Sequence, residues 1–319
     1  MNNIAFIKNN KFIIPLILVI ILVFFALVPT FARPYTVILL TSVIMFIVMT
    51  VSWTIFSGST GYISLATAAF FGVGIYMAAI FSKILPIPLV VLLGGVVSFL
   101  LAFLVGAITL RLRGVYFAIF TFGLVELIKH VTLWWEINII GTRGHFIQRV
   151  DNISVFYIML TILVLLLITT FFIRKSKYGL ALTSIGSSEE AAAHIGINVI
   201  MVKIFTFATS AFFVGLTGAI IATRWGYIDP YIAYNPFYSF LPVLMAIFGG
   251  LGNLIGPILG AAVFAYLQEY LITRFPYHYM LIFGTIMVIT ILYLPSGLIG
   301  LFQKIPWRSI GGKKADASS

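Results

Sequence analysis

The sequence predicts an all-α polytopic membrane protein: a bundle of about eight to ten transmembrane helices with broken or half-span segments. Three observations predict it. Of 319 residues, 62% are hydrophobic and only 8% are charged, against roughly 25% charged in a soluble domain, so folding in water would leave large apolar surfaces exposed. The apolar residues fall into runs long enough to cross a hydrocarbon core, which takes about 20 residues of helix. Two glycine-rich clusters, 56–61 and 249–253, interrupt this pattern where a plain bundle would need only a short turn.

The first span is expected over 12–31, with Pro15 in its opening turns, where proline is tolerated. Its apolar run after Lys8 and Lys11 outlasts a signal-peptide core and no small-residue cleavage site follows cleanly, so it reads as a retained anchor. A second span, 35–56, runs into Phe56-Ser57-Gly58-Ser59-Thr60-Gly61, a polar break. The third, 61–82, is rich in small residues (Ala66, Ala68, Ala69, Gly72, Gly74, Ala78, Ala79), which let helices approach closely in lipid. Pro86 and Pro88 open the fourth, 86–110, and the fifth, 114–133, follows Arg111-Leu112-Arg113-Gly114. The segment 134–153 is polar and irregular, and its Trp134-Trp135 pair suits a membrane interface.

The sixth span is 154–173 and the seventh 203–225. The piece 239–248, ended by Gly249-Gly250-Leu251-Gly252-Asn253, reaches only about 15 Å as a helix, half a bilayer core. It is expected to be a half-span. Spans over 254–272 and 277–295 complete a membrane domain of 1–303, and 304–319 forms a tail. Ile55-Phe56-Ser57-Gly58 and Ile247-Phe248-Gly249-Gly250 are comparable breaks, and paired breaks point toward a transport site.

The longest polar interruption is 184–203, within a loop spanning 174–203. Ser187 and Glu190 have capping-box spacing. Glu189 and Glu190 place negative charge at a helix N-terminus, Ala191, Ala192 and Ala193 are strong helix formers, and Gly196 supplies a left-handed stop. A short helix is predicted over 188–195. Counting basic residues orients the chain. With both termini in the cytoplasm, that side carries Lys8, Lys11, Arg111, Arg113, Arg174, Lys175, Lys177, Lys203, Lys304, Arg308, Lys313 and Lys314 of the 19 lysines and arginines.

The net charge of +11 is spread over span ends, not gathered into one patch, which argues against nucleic acid. Absence of cysteine excludes disulfides and thiolate chemistry. No Gly-x-x-x-x-Gly-Lys-[Ser/Thr] phosphate cradle occurs, nor His-Glu-x-x-His, and the four histidines are scattered. No enzyme site, metal site or cofactor is expected in this chain. Glu126 lies thirteen residues past Arg113, about 20 Å into a helix. It is either a structural partner of Lys129 or His130 or a group on a substrate path. Ser57, Gly58, Ser59, Thr60, Gly61 and Ser64 are path candidates because glycine lets backbone approach a solute and hydroxyls replace water; the alternative is close helix packing. Gly249, Gly250, Gly252 and Asn253 are their counterparts in the second break. Arg224, Asp229 and Glu269 fall near span ends and read as interfacial groups.

Several segments together resemble the permeases of branched-chain amino acid ABC importers, M-type subunit. They are Gly58-Ser59-Thr60-Gly61-Tyr62-Ile63-Ser64-Leu65 through Gly72-Val73-Gly74-Ile75-Tyr76, Leu110-Arg111-Leu112-Arg113-Gly114-Val115-Tyr116-Phe117-Ala118, Tyr178-Gly179-Leu180-Ala181-Leu182, Gly249 through Ala261, and Pro295-Ser296-Gly297-Leu298-Ile299-Gly300. Glu190-Ala191-Ala192 followed by Gly196 resembles the loop by which such permeases dock on their ATPase. Two segments depart from the pattern: Thr142-Arg143-Gly144 in the outer loop, and Ser184-Ile185-Gly186-Ser187-Ser188 ahead of the short helix.

The resemblance implies a type-II importer permease in a bacterial or archaeal cytoplasmic membrane. It implies an H-type permease partner, two ABC ATPase subunits that bind ATP and Mg, and an extracytoplasmic solute-binding protein. Ser187, Glu189, Glu190, Ala191, Ala192, Ala193 and Gly196 would be the ATPase-coupling residues, and transport would proceed by alternating access. Urea and amide importers resemble the same family. Outside it, the alternatives are an ion-coupled secondary transporter or channel, or a structural membrane subunit.

Overall fold

The structure, a computed structural model, describes Phe25 and residues 27–251, 254–293 and 297–298. The expected first span lies outside the described residues except for its last turns, and the 304–319 tail lies wholly outside them.

Helix α1 (Pro34–Trp53) starts on a proline, whose missing N–H is no loss at that position. It continues as a π turn, Thr54–Gly58. The chain then leaves the helix and re-enters it only at α2 (Thr67–Phe81). The third span, expected from 61, therefore starts six residues late. Gly61 takes φ +76°, and residues 61–66 run without helical structure. Next come α3 (Ile87–Thr109), with prolines in its first turn, and α4 (Val115–Trp135). A second π turn, Glu136–Ile140, prolongs α4 beyond the expected end at 133 and closes on Gly141.

Asp151 caps α5 (Asn152–Lys175), Ser176 caps α6 (Lys177–Ser187) and Ser188 caps α7 (Glu189–His194). Asn198 caps α8 (Val199–Ala222), so this span begins four residues before the expected 203. A single turn, α9 (Pro230–Ala233), precedes α10 (Phe237–Gly249), α11 (Ile255–Arg274) and α12 (Tyr279–Tyr293). Two-residue strands β1 (His145–Phe146) and β2 (Tyr227–Ile228) pair antiparallel across the end opposite α6 and α7.

Seven segments among the described residues are long and apolar enough to cross a membrane: Pro34–Gly58, Ile87–Thr109, Val115–Ile140, Asn152–Lys175, Val199–Ala222, Pro230–Gly249 and Ile255–Arg274. The sixth joins α9 and α10 across the Tyr234-Asn235-Pro236 break. Alone, α10 has 13 residues with Pro242 inside it, about 20 Å of helix, longer than the ten-residue half-span expected over 239–248; with α9 the segment reaches membrane length, so the half-span expectation is corrected. Helix α2, 15 residues long, is a shorter apolar helix of the same bundle.

The centre of the bundle is α8, packed on α2 and α3. Small residues set the spacing. A methyl on Gly218 would lie 2.1 Å from the Phe71 carbonyl oxygen, and one on Gly74 would lie 2.1 Å from that of Gly215. The backbones of α2 and α8 are thus in direct contact, as close van der Waals packing in lipid requires. Because the obstructing atoms are backbone, no rotamer change relieves a clash. Gly218→Ala is expected to destabilise the protein by about 3 kcal/mol, read as a lowered melting temperature in detergent. Gly123→Ala, with nothing within 4 Å, is the control and leaves the melting temperature unchanged or slightly raised. Equal melting of the two variants would refute this packing.

Candidate functional site

The break between α1 and α2 sits inside the bundle, where an unpaired amide has no water to turn to. Its partners come from distant helices. The Trp53 indole donates to the Ser64 carbonyl at 2.8 Å, and the Leu65 N–H donates to Thr121 Oγ on α4 at 3.0 Å. Ser239 Oγ, on α10, donates to the Leu65 carbonyl at 2.6 Å and accepts from the Ala68 N–H at 3.0 Å. Within the break, the Ser64 N–H reaches Ser57 Oγ at 3.4 Å, and Thr60 Oγ donates to the Phe56 carbonyl at 2.8 Å. Side chains alternate: Tyr62 and Ser64 are buried, whereas Gly61 and Ile63 are exposed. Leu251, in the second break, comes within 3.9 Å of where a Gly58 methyl would stand, so the two breaks are neighbours.

Helices α6 and α7 close over the same end of the bundle. Leu182 and Ile185 bury one face of α6, and a methyl on Gly186 would lie 2.4 Å from the Ser59 carbonyl oxygen. The cap of α7 differs from the expected one. Ser187 is the last residue of α6 and donates to the Thr183 carbonyl. Ser188 takes extended backbone and accepts from the Ala191 N–H at 3.3 Å. The 187–190 capping box is therefore absent, because Ser187 is taken up as the last residue of α6, a helix within the expected 174–203 loop, and the short helix is 189–194, not 188–195. Glu190 instead points outward, 3.8 Å from Arg113. Gly196 (φ +86°) ends α7 as expected, with its N–H on the Ala193 carbonyl and that of Ile197 on Ala192, a Schellman stop. Ala191 and Ala193 are exposed, but Ala192 is 1% exposed and faces the bundle.

Lys203 stands at the foot of α8, buried to 2%. Its ammonium donates to Glu189 Oε1 at 2.7 Å, to Tyr62 Oη at 3.1 Å and to the Leu110 carbonyl at 3.3 Å. It also lies 4.3 Å from the centre of the Tyr62 ring. Burial pushes the Glu189 carboxyl up, but hydrogen bonds from Lys203 and Tyr62 and the charges of Lys203 and Arg113 outweigh this, holding it below its ordinary range. A cleft of about 340 Å³ opens beside this cluster, lined by Thr60, Tyr62, Arg113, Gly186 and Glu189.

The opposite end is held by Glu136, which is fully buried. It accepts from Tyr76 Oη at 2.9 Å and from the Gly144 N–H at 3.0 Å, and His145 Nε2 lies 3.4 Å away. Midway along α4, Glu126 pairs with Lys129 and lies 3.8 Å from His130, and its side chain is 37% exposed. The structural partners expected for it are present, and it also keeps an open face. Lys129 and Arg143 both approach the Tyr231 ring, at 5.5 and 4.8 Å. At the span ends, Arg224 donates to Ser42 Oγ and Asp229 caps α9 and meets Arg143. Gly249 is buried against the Gly256 carbonyl, a contact between α10 and α11, and Gly250 takes φ +96°. Gly252 and Asn253 lie outside the described residues.

The structure thus joins the first break to α7 through Tyr62, and sets Glu126 apart on α4. Sequence reasoning missed Lys203, Glu136, Trp53, Thr121 and Ser239. Lys203 was counted as a loop-end charge, and an isolated lysine at the start of an apolar run is its only sequence signal. Among the described residues, no group of three or more His, Asp or Glu side chains is placed to hold a metal.

The family described as branched-chain amino acid transport system / permease component matches residues 35–291. The chain is 25% identical to the high-affinity branched-chain amino acid transport system permease protein LivM of Salmonella typhimurium, over 81% of this chain and 68% of that protein. It is 24% identical to LivM of Escherichia coli K12, over 92% of this chain and 79% of that protein. It is 25% identical to the LivH permease of Salmonella typhimurium over about half of each. No solved structure matches significantly.

Ser239→Ala removes the partner of two buried backbone groups, each costing about 1–3 kcal/mol when unpaired. It is expected to lower the melting temperature in detergent more than Ser42→Ala, which touches no backbone of the break. A second expectation concerns acid. A carboxyl held low in the folded state contributes stability in full above its ordinary pKa, and that contribution disappears as pH falls through the lowered value. The gap in melting temperature between wild type and Glu189→Gln should therefore shrink on acidification from pH 7. A gap that widens would contradict the ion pair.

Proposed function

Because this chain belongs to the family of branched-chain amino acid transport system permease components, we propose that it is one membrane-spanning half of an ATP-driven importer for branched-chain or other amino acids. The chain is a multi-pass membrane protein with seven membrane-length apolar segments among its described residues. It works with an H-type permease, two ABC ATPase subunits that carry ATP and Mg, and an extracytoplasmic solute-binding protein. The similarity to both LivM and LivH permease proteins supports the pairing with an H-type permease. The lack of a phosphate cradle in the sequence supports assigning ATP hydrolysis to the partners.

One observation carries the coupling role: α7 is a capped helix seated on the bundle by Glu189 and Ala192 while Glu190, Ala191 and Ala193 stay exposed. That is the form of a lever, fixed on one face and presented on the other. Basic residues at this end (Arg111, Arg113, Arg174, Lys175, Lys177) support a cytoplasmic orientation for it and for both termini. Ser57, Gly58, Ser59, Thr60, Gly61 and Ser64, with the glycines of the second break, border the path. Glu126, paired with Lys129 on α4 and partly exposed, is a separate candidate on the path.

The test is leucine uptake and ATP hydrolysis in proteoliposomes holding the complete importer. Glu190→Arg with Ala193→Trp changes only exposed positions of α7. Loss of ATPase association and a fall in uptake of about tenfold or more, the effect of losing about 1.4 kcal/mol of binding, are expected, with the membrane protein still folded. Uptake by this chain alone without ATP would overturn the reading in favour of a secondary transporter.

A further inference from the structure

We propose that Lys203 is the positioning residue through which α7 moves the break between α1 and α2, so that docking on α7 is felt at the path. This inference rests on the coupling reading above and names the residue that transmits the motion.

Three observations carry it. First, the anchor is rigid: Lys203 projects from α8, the helix in backbone contact with α2. Second, its three donors are shared among three elements: Glu189 of α7, Tyr62 of the break and the carbonyl of Leu110, the residue that caps the C-terminus of α3. Lys203 is itself only 2% exposed, so a lost partner leaves its ammonium largely shielded from solvent. If α7 tilts and carries Glu189 away, the ammonium follows on its flexible stem or is left buried and unneutralised, which is strongly disfavoured. Third, following pulls on Tyr62, whose hydroxyl and ring face both bind the ammonium. Tyr62 is bracketed by Gly61, with its left-handed φ, and by Ile63, which is exposed. A displacement at Tyr62 therefore appears as movement of Gly61 and Ile63. Arg113 is the remaining charge on the cluster, 3.5 Å from Glu189, but it is mostly solvent-exposed and free to rearrange.

The experiment measures leucine transported per ATP hydrolysed by the complete importer in proteoliposomes. Lys203→Met should leave ATPase association intact, because the exposed face of α7 is unchanged, while leucine per ATP falls about tenfold, an effect of the size single residues in a coupling network produce. Lys203→Arg, which keeps the charge and donors, should restore most of it. Tyr62→Phe keeps the ring and removes the hydroxyl, so it should lower the ratio with only a small fall in melting temperature, because Glu189 and the Leu110 carbonyl still hold the ammonium. If Lys203→Met does not fold, Tyr62→Phe decides. A wild-type ratio in Tyr62→Phe or in a folded Lys203→Met overturns the proposal and leaves Lys203 a structural pin. The two readings fail separately. Unchanged association in Glu190→Arg with Ala193→Trp sinks the coupling role of α7. Lost association there with a wild-type ratio in Lys203→Met sinks only the link.

Discussion

The structure depends on one constraint: inside a membrane every backbone N–H and C=O must find its partner within the protein. A continuous helix meets this by itself, and the 61–66 segment does not. It persists because Trp53, Thr121 and Ser239, side chains of α1, α4 and α10, bond to Ser64, Leu65 and Ala68. The break is therefore common property of those helices. None of them can shift far without straining these bonds, and the break cannot move without being felt by them.

Around this segment the bundle divides into parts that are locked and parts that are seated. Gly74, Gly215 and Gly218 bring the backbones of α2 and α8 into contact, leaving no side chain to adjust. Helices α6 and α7 are attached differently. They rest on two buried residues of α6, on Ala192 and on the ion pair between Glu189 and Lys203. An ion pair with hydrogen bonds is directional and strong only while its geometry holds. A movable attachment over a rigid spine suits a chain that must change conformation without losing its fold.

Buried charge is handled alike at both ends. Lys203 is neutralised by Glu189 and cradled by oxygen acceptors, and Glu136 collects Tyr76, Gly144 and His145. Each draws a loop onto the bundle: 185–190 at one end, 141–146 at the other. Between them, midway along α4, Glu126 stays partly exposed beside the buried Lys129 and the exposed His130.

Much of this was legible in the sequence. Apolar run length predicted the spans, because crossing a bilayer is a one-dimensional requirement. Gly61 and Gly249–Gly250 marked the breaks, although the first opens only at Gly61 and runs to 66 while Ser57–Thr60 stay helical, and the resemblance of 58–76 and 110–118 pointed to the family that the 35–291 match establishes. The alanines before Gly196 marked α7, although its cap moved from Ser187 to Ser188 because Ser187 is bound into the last turn of α6. What composition cannot encode is which distant group answers a given amide or charge. The partners of Leu65 lie 56 and 174 residues along the chain, and Tyr62 is 141 residues from Lys203. Spans are local properties and were determined by the sequence itself. The hydrogen-bonded break, the buried lysine and the inward face of Ala192 arise only when separate helices meet, and the tertiary structure alone decided them.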